Sequence, residues 1–394
     1  METESYSLII TIVSSIVYAF VLGFCFYKLK LPTILGYLLA GVLIGPYTPG
    51  FVGDVAIAKQ LAEIGVILLM FDIGMHFSLQ DLIKAKSVAF FGAIIQIIIT
   101  SLIGFLVFYY FSFGKMESFI MAISLSIAST VVLIRNFQQQ NLIDTSIGKM
   151  AIGWLVVEDI LMVLILVLLP VVLSSFHNIF DWQSFLFLII KTLVKISIFI
   201  GFMVFVGKYL PSLLKAIYNT NISELMTLGI LSIACGFAFI AYNFFDTSFA
   251  LGAFMAGFVL NGSDVGKKMS NLALSLRDLF AVLFFIATGM VFNPSILVNE
   301  TKLVLVTFLL IVFIRPIVIF IIMKMLKQSK IDCLNMSFGL AQIGEFSFIL
   351  GALALKMGGF SIILYDLIIA GSILSIAVNF LLFKIKISNT ISTN

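Results

Sequence analysis

The stretch AIGWLVVEDILMVLILVLLP, from Ala151 to Pro170, holds two charges, Glu158 and Asp159, side by side in a run long enough to cross a bilayer. A carboxylate at the centre of a membrane helix costs about 2.5–3.5 kcal/mol on insertion scales, and two neighbours roughly double that. Such acids persist where they face a water-filled cavity or a partner, and they mark ion or proton paths. The plain alternative is a buried structural ion pair. The rest of the chain decides between the two.

Composition places the whole chain in the membrane. Of its 394 residues 62% are hydrophobic and 11% charged, with a mean hydropathy of +1.21. A soluble domain carries about 25% charged residues, so no soluble surface can be built from this sequence. The net charge of +4 is therefore no sign of a nucleic-acid partner. The opening METESYS lacks the basic region of a cleaved signal peptide, and the first apolar run reads as a retained helix. Cys25, Cys235 and Cys333 are scattered, and His76 and His177 stand alone. None has the spacing of a metal site, so no cofactor is expected.

Apolar runs near 7–27, 33–48, 60–77, 87–111, 117–136, 148–173, 184–207, 222–244, 247–262, 275–292, 302–324, 333–355 and 362–384 predict about 13 transmembrane helices. With the N-terminus outside, the outer loops hold only Lys59, Lys115, Lys302 and Lys356, against 16 basic residues in the inner loops and tail. That bias follows the positive-inside rule and puts the C-terminus in the cytoplasm. Lys191, Lys195 and Arg315 remain within spans.

The two halves resemble each other at an offset of about 215 residues. Leu35-Gly36 and Ala40-Gly41 match Leu251-Gly252 and Ala256-Gly257, Glu63 falls against Asp278, and Gly74-Met75 against Gly289-Met290. The spans then divide as six, one and six. Repeat one covers about 7–173, a connector helix about 184–207, and repeat two about 222–384. Matched spans seven apart cross in opposite directions, which makes an inverted repeat, an architecture of secondary transporters.

The fifth and twelfth spans match as well, and both are polar at mid-depth. The fifth contains Ser124-Leu125-Ser126-Ile127-Ala128-Ser129-Thr130, the twelfth Gln342-Ile343-Gly344-Glu345-Phe346-Ser347. Backbone unwinds in lipid only where it is buried in protein or lines a cavity. Broken helices at matching positions point to a midplane site. Packing through small residues would explain the serines and Gly344, but not Gln342 and Glu345. Ser129, Thr130, Gln342 and Glu345 are thus expected to line a site at the membrane midplane. Arg315, mid-way along the eleventh span, needs an acid nearby. Glu158 is the leading candidate. Adjacent helical residues point about 100° apart, which leaves Asp159 free to face the ion path.

At this point the sequence resembles a Kef-type member of the monovalent cation:proton antiporter-2 family. The motifs are GYLLAGVLIGP (Gly36–Pro46), GVILLMFDIGMHF (Gly65–Phe77), GWLVVEDI (Gly153–Ile160), ALGAFMAGFVLNGS (Ala250–Ser263), LRDLFAVLFFIATGM (Leu276–Met290) and AQIGEFSFILG (Ala341–Gly351). The resemblance implies a sodium/proton antiporter-like fold in the bacterial cytoplasmic membrane, a homodimer with a mobile core domain, and crossed, partly unwound fifth and twelfth spans. It implies that Asp159 is the cation and proton carrier, transiently ligating the metal ion, with Glu158 as the first acid, Arg315 its basic partner, and Ser129 and Thr130 in the unwound segment. Two departures stand out. Many relatives have Asp-Asp, Asn-Asp or Gln-Asp in place of Glu-Asp. Many also continue into a cytoplasmic nucleotide-binding regulatory domain, which is not expected in these residues.

The expected activity is exchange of Na+ or K+ for H+ by alternating access, without covalent chemistry. A cation channel or uniporter is the rival, although no TVGYG-type filter is present. An organic-anion symporter of related fold would favour a cationic pocket over paired acids. Nothing resembles a nucleophile–base set, so no enzyme is expected.

Overall fold

The computed structural model describes residues 7–50, 52–76, 87–143, 145–176, 194–195, 197–199, 201–203, 205–245, 249–261 and 264–391. Among them the regular structure is helical, with no strand. Most of the connector expected at 184–207, Lys191 included, and His177 lie outside the described residues.

The first half supplies α1 (Ser7–Lys28), α2 (Thr33–Ile44), α3 (Val55–His76), α4 (Ser87–Tyr110), α5 (Lys115–Leu125), α6 (Thr130–Gln139) and α7 (Ser146–Phe176). The second supplies α8 (Leu210–Tyr218), α9 (Ser223–Phe245), α10 (Phe249–Leu260), α11 (Asp264–Val291), α12 (Ile296–Asn299) and α13 (Thr301–Leu309). A π-helical turn (Leu310–Ile314) follows, then α14 (Arg315–Met325), α15 (Lys330–Gly339), α16 (Glu345–Lys356) and α17 (Ile362–Ile391). By length and composition, 6 described helices can cross a membrane, or up to 7 if the bent pair at Ser197–Gly207 and Ser212–Tyr218 is one span. The short helices α2 and α10 have 12 residues each, too few to cross about 30 Å of hydrocarbon unaided. The eleventh run is α13, the π turn and α14 in succession. Pro316 lacks the N–H that an α-helical bond to Val312 would use, and the ladder loosens just before it.

The helices gather into two compact units, each drawing on both halves of the chain. The first comprises Met1–Val21, Tyr37–Ser78 and Val163–Val291. Glycines set its closest approaches. A Cβ on Gly41 would stand 2.9 Å from the Gly289 Cα, and one on Gly289 would stand 3.0 Å from the Gly41 Cα. The counterpart contacts join α10 and α3, where a Cβ on Gly257 would meet the Met75 nitrogen at 2.8 Å and one on Gly74 the Phe258 nitrogen at 2.8 Å. Only hydrogen side chains let these backbones touch. Near the end of α3, Arg277 of α11 pairs with both Asp72 and Asp278.

The second unit comprises Leu22–Gly36, Leu79–Met162 and Phe292–Asn394. Its core packs Ala89 and Ala93 of α4, Leu133 and Phe137 of α6, Trp154 of α7, Ile319 and Met323 of α14, and Met336 of α15. Two runs that read as spans are each broken here. The fifth becomes α5 and α6, separated at Ser126–Ser129, and the twelfth becomes α15 and α16, separated at Leu340–Gly344. Local polar chemistry makes the first break. Ser124 and Ser126 hydroxyls donate to the Ile120 and Ile123 carbonyls at 2.8 Å each, in competition with the helical ladder. Ser129 then caps α6, accepting from the Val132 N–H at 3.3 Å. At the second break Gly344 is extended and caps α16.

Candidate functional site

The two breaks cross where Gly344 meets Ser129. A Cβ on Gly344 would lie 2.7 Å from the Ser129 Cα, so the main chains pass in direct contact. Gln342 clips them together: its Oε1 accepts from the Ser129 N–H and its Nε2 donates to the Ser129 carbonyl, both at 3.0 Å. The side-chain amide thereby pairs the Ser129 N–H and shares the Ser129 carbonyl with the Leu133 N–H, which donates to it at 3.2 Å. The Ser347 hydroxyl adds a bond to the Ser124 carbonyl at 2.5 Å. Freed carbonyls find donors on flanking helices. Gln96 of α4 donates Nε2 to the Ser126 carbonyl, and Arg315 of α14 donates Nη1 to the Gln342 carbonyl, each at 3.0 Å. Buried backbone away from water is thus paired at both breaks, as a hydrocarbon setting requires.

The acid pair divides sharply. Glu158 is fully buried and accepts four hydrogen bonds from three donors. The Arg315 Nη2 donates to Oε1 at 3.0 Å and to Oε2 at 3.1 Å, the Ala128 N–H to Oε2 at 2.7 Å, and the Trp154 Nε1 to Oε1 at 3.1 Å. Arg315 is itself only 1% exposed. Each would be very costly alone, and together they form a charge-neutral, hydrogen-bonded pair.

Asp159, the next residue, is half-buried and turned elsewhere. Its Oδ2 accepts from the Thr130 hydroxyl at 3.2 Å. Its Oδ1 is buried and has no hydrogen-bond partner among the described residues. Thr130 opens α6 and Glu345 opens α16, so the two half-helices begin on residues 215 apart in sequence, both beside the aspartate. The carboxylates of Glu158 and Glu345 lie close enough to repel the charge of Asp159. Ser129, Thr130, Gln342, Glu345, Glu158, Asp159 and Arg315 therefore share one crossing. Glu345 faces the aspartate, whereas Gln342 is spent on the clip and on Arg315.

Three contributors carry no sequence signature of their role at the crossing. Trp154 stands four residues before Glu158 in the same helix, where a lone tryptophan in an apolar run looks like packing. Gln96 is an isolated amide in α4. The Ala128 N–H has no side-chain signature at all. A buried amide link, Asn136 Nδ2 to Asn379 Oδ1 at 2.6 Å, further ties α6 to α17. Among the described residues no group of three or more His, Cys, Asp or Glu is arranged to hold a resident metal ion.

The chain is helical, with crossed broken spans and a buried acid pair, and it belongs to the sodium/hydrogen exchanger, transmembrane, family, which matches over residues 12–387. It is a membrane protein of a cation:proton exchanger family. In Escherichia coli (strain K12), the "Putative cation/proton antiporter YbaL" is 44% identical over 96% of this chain and 68% of its own length. In Arabidopsis thaliana, K(+) efflux antiporter 4 is 29% identical over 90% of this chain, which spans 60% of that protein. Among solved structures, the sodium proton antiporter MjNhaP1 from Methanocaldococcus jannaschii has the same fold, with a TM-score of 0.72 over 98% of this chain and 97% of its own, at 18% identity.

Proposed function

We propose that this chain exchanges a monovalent cation, Na+ or K+, for protons, with Asp159 as the carboxylate that holds either in turn. The observation that carries this reading is the inequality within the acid pair. The four hydrogen bonds to Glu158 come from groups that fix it in place, whereas Asp159 keeps a buried oxygen with no partner among the described residues. A carboxylate with a vacant acceptor can take a proton or a bare cation, but not both. That exclusion couples the two fluxes. Thr130 and Glu345 supply further oxygens beside it, and oxygen is what a hard cation seeks.

Alternating access about this crossing needs the exposed side to change while the ligands stay together, and the clip by Gln342 favours movement of the site as a body. The recurrence of the glycine contacts supports the inverted repeat, with repeat one at about 7–173 and repeat two at about 222–384. A homodimer with an outer N-terminus, in a bacterial cytoplasmic membrane, completes the reading. The names of the relatives favour cations over an organic anion, and so does a site where the carboxylates of Asp159 and Glu345 come together.

The test is cation-driven proton movement in vesicles reconstituted with purified protein. Asp159→Asn keeps the size of the side chain and removes its exchangeable charge, and is expected to abolish exchange in a folded protein. Glu158→Gln is expected to retain part of it. Robust coupled exchange by Asp159→Asn would remove the carrier assignment. Uncoupled cation leak through the wild type would favour the channel.

A further inference from the structure

We propose that Gln96 sets how sharply the site distinguishes one monovalent cation from another. It is a positioning residue. It acts by holding one end of the extended segment whose other end, Thr130, stands beside Asp159. The inference rests on Asp159 being the carrier.

The α5 helix stops at Leu125 and leaves the Ser126 carbonyl without a helical partner. Gln96 Nε2 donates to that carbonyl and to the Thr100 hydroxyl, each at 3.0 Å. Thr100 spends its own proton on the Gln96 main-chain carbonyl at 2.7 Å, so its oxygen is left to accept and the amide has one orientation. Gln96 and Ser126 have no exposed surface, and the carbonyl cannot turn to bulk water instead. The residues that follow are held in turn. Glu158 takes the Ala128 N–H, Gln342 takes the Ser129 N–H and carbonyl, and the Thr130 hydroxyl reaches Asp159 Oδ2. Gln96 is the anchor on the α5 side of that segment.

The second break is held in the same manner from a matching place. Arg315 stands 215 residues after Thr100, and the Gln342 carbonyl to which it donates stands 216 residues after Ser126. A flanking helix thus captures a freed carbonyl at each break, with a guanidinium at one and a neutral amide at the other. Arg315 is committed to a charge, that of Glu158. Gln96 balances none, and its Oε1 is buried with no hydrogen-bond partner among the described residues. Its contribution is geometric.

Na+ and K+ carry the same charge and differ in radius. A site tells such ions apart by how many oxygens surround them and by how firmly those oxygens are held. With Gln96 in place, the Thr130 hydroxyl follows a segment pinned at residues 126, 128 and 129. Without it the α5 end slackens, and the oxygens beside Asp159 adjust to either radius. Preference then falls while exchange continues.

The experiment measures proton movement driven by Li+, Na+ and K+, each over a range of concentrations at one pH, in vesicles holding wild type, Gln96→Met, Thr100→Val or Asp159→Asn. Gln96→Met keeps the length of the side chain and deletes the donor. It exchanges one unpaired buried oxygen, its own, for another at Ser126, so a thermal midpoint near that of the wild type is expected. The ratio of apparent affinities between the preferred cation and the others should fall by about threefold, the scale of one hydrogen bond, with the maximal rate retained. Thr100→Val leaves the donor but frees the amide to turn, and should move the ratio the same way by less. A wild type that does not distinguish the three cations overturns the proposal. So does Gln96→Met with wild-type ratios, whatever its thermal midpoint, since a purely structural role would alter stability alone. Should Gln96→Met not fold or not exchange, unchanged ratios in Thr100→Val overturn it equally. Exchange surviving in Asp159→Asn would instead undo the carrier reading beneath it, a separate and recognisable outcome.

Discussion

Arg315 and Glu158 form a buried ion pair at the crossing, and Arg315 also holds the Gln342 carbonyl. Removing one partner of such a pair strands the other and typically costs about 3–5 kcal/mol. Arg315→Ala is therefore expected to lower the thermal midpoint strongly. Adding Glu158→Gln removes the stranded charge and should recover part of the loss. A double variant no more stable than Arg315→Ala would show that the pair contributes little. The partnership was legible in the sequence because a mid-span arginine requires an acid and few acids lie at mid-depth. The saturation of Glu158 was not, because two of its three donors are an indole that reads as core and a peptide N–H that every residue but proline owns.

At the scale of elements, the breaks announce themselves by composition, and their crossing does not. Serines and a glycine in apolar runs predict weak helices at 124–130 and 342–347, and the described helices stop at Leu125 and Gly339. Which residues touch is a tertiary fact. Gly344 could equally serve a kink, and Gln342 reads as polar lining of the crossing, whereas its amide is occupied by the Ser129 backbone. Gly344→Ala puts a methyl 2.9 Å from the Ser129 Cβ and nearer to its Cα, and neither backbone can retreat without breaking the clip. Overpacking of that kind costs about 1–3 kcal/mol. Loss of exchange with a lowered thermal midpoint is expected, whereas Gly236→Ala, with nothing within 4 Å of the new methyl, should behave as wild type. Equal behaviour of the two variants would mean that the crossing is not tight.

For the whole molecule, hydropathy carried the reading furthest, since apolar runs and the bias of lysines and arginines need no tertiary knowledge. It misjudged extents where helices continue into polar sequence. The third helix starts at Val55 and the tenth run belongs to a helix that starts at Asp264, both before their apolar stretches. Orientation is testable directly. With Cys25, Cys235 and Cys333 replaced, single cysteines at Lys59 and Lys302 should react with an impermeant reagent added outside intact cells, and cysteines at Lys30 and Lys327 should not. The reverse pattern would invert the proposed topology. One feature of the first unit reaches beyond any single site. The contact of Gly41 with Gly289 has its counterpart 216 and 215 residues away, at Gly257 and Gly74, with the partners exchanged. Intolerance to substitution should then be correlated along the chain. A saturation scan scored by growth on cation-limited medium is expected to show an autocorrelation peak at a lag of 215–216 residues, in which damage at one helix crossing forecasts damage at its distant twin.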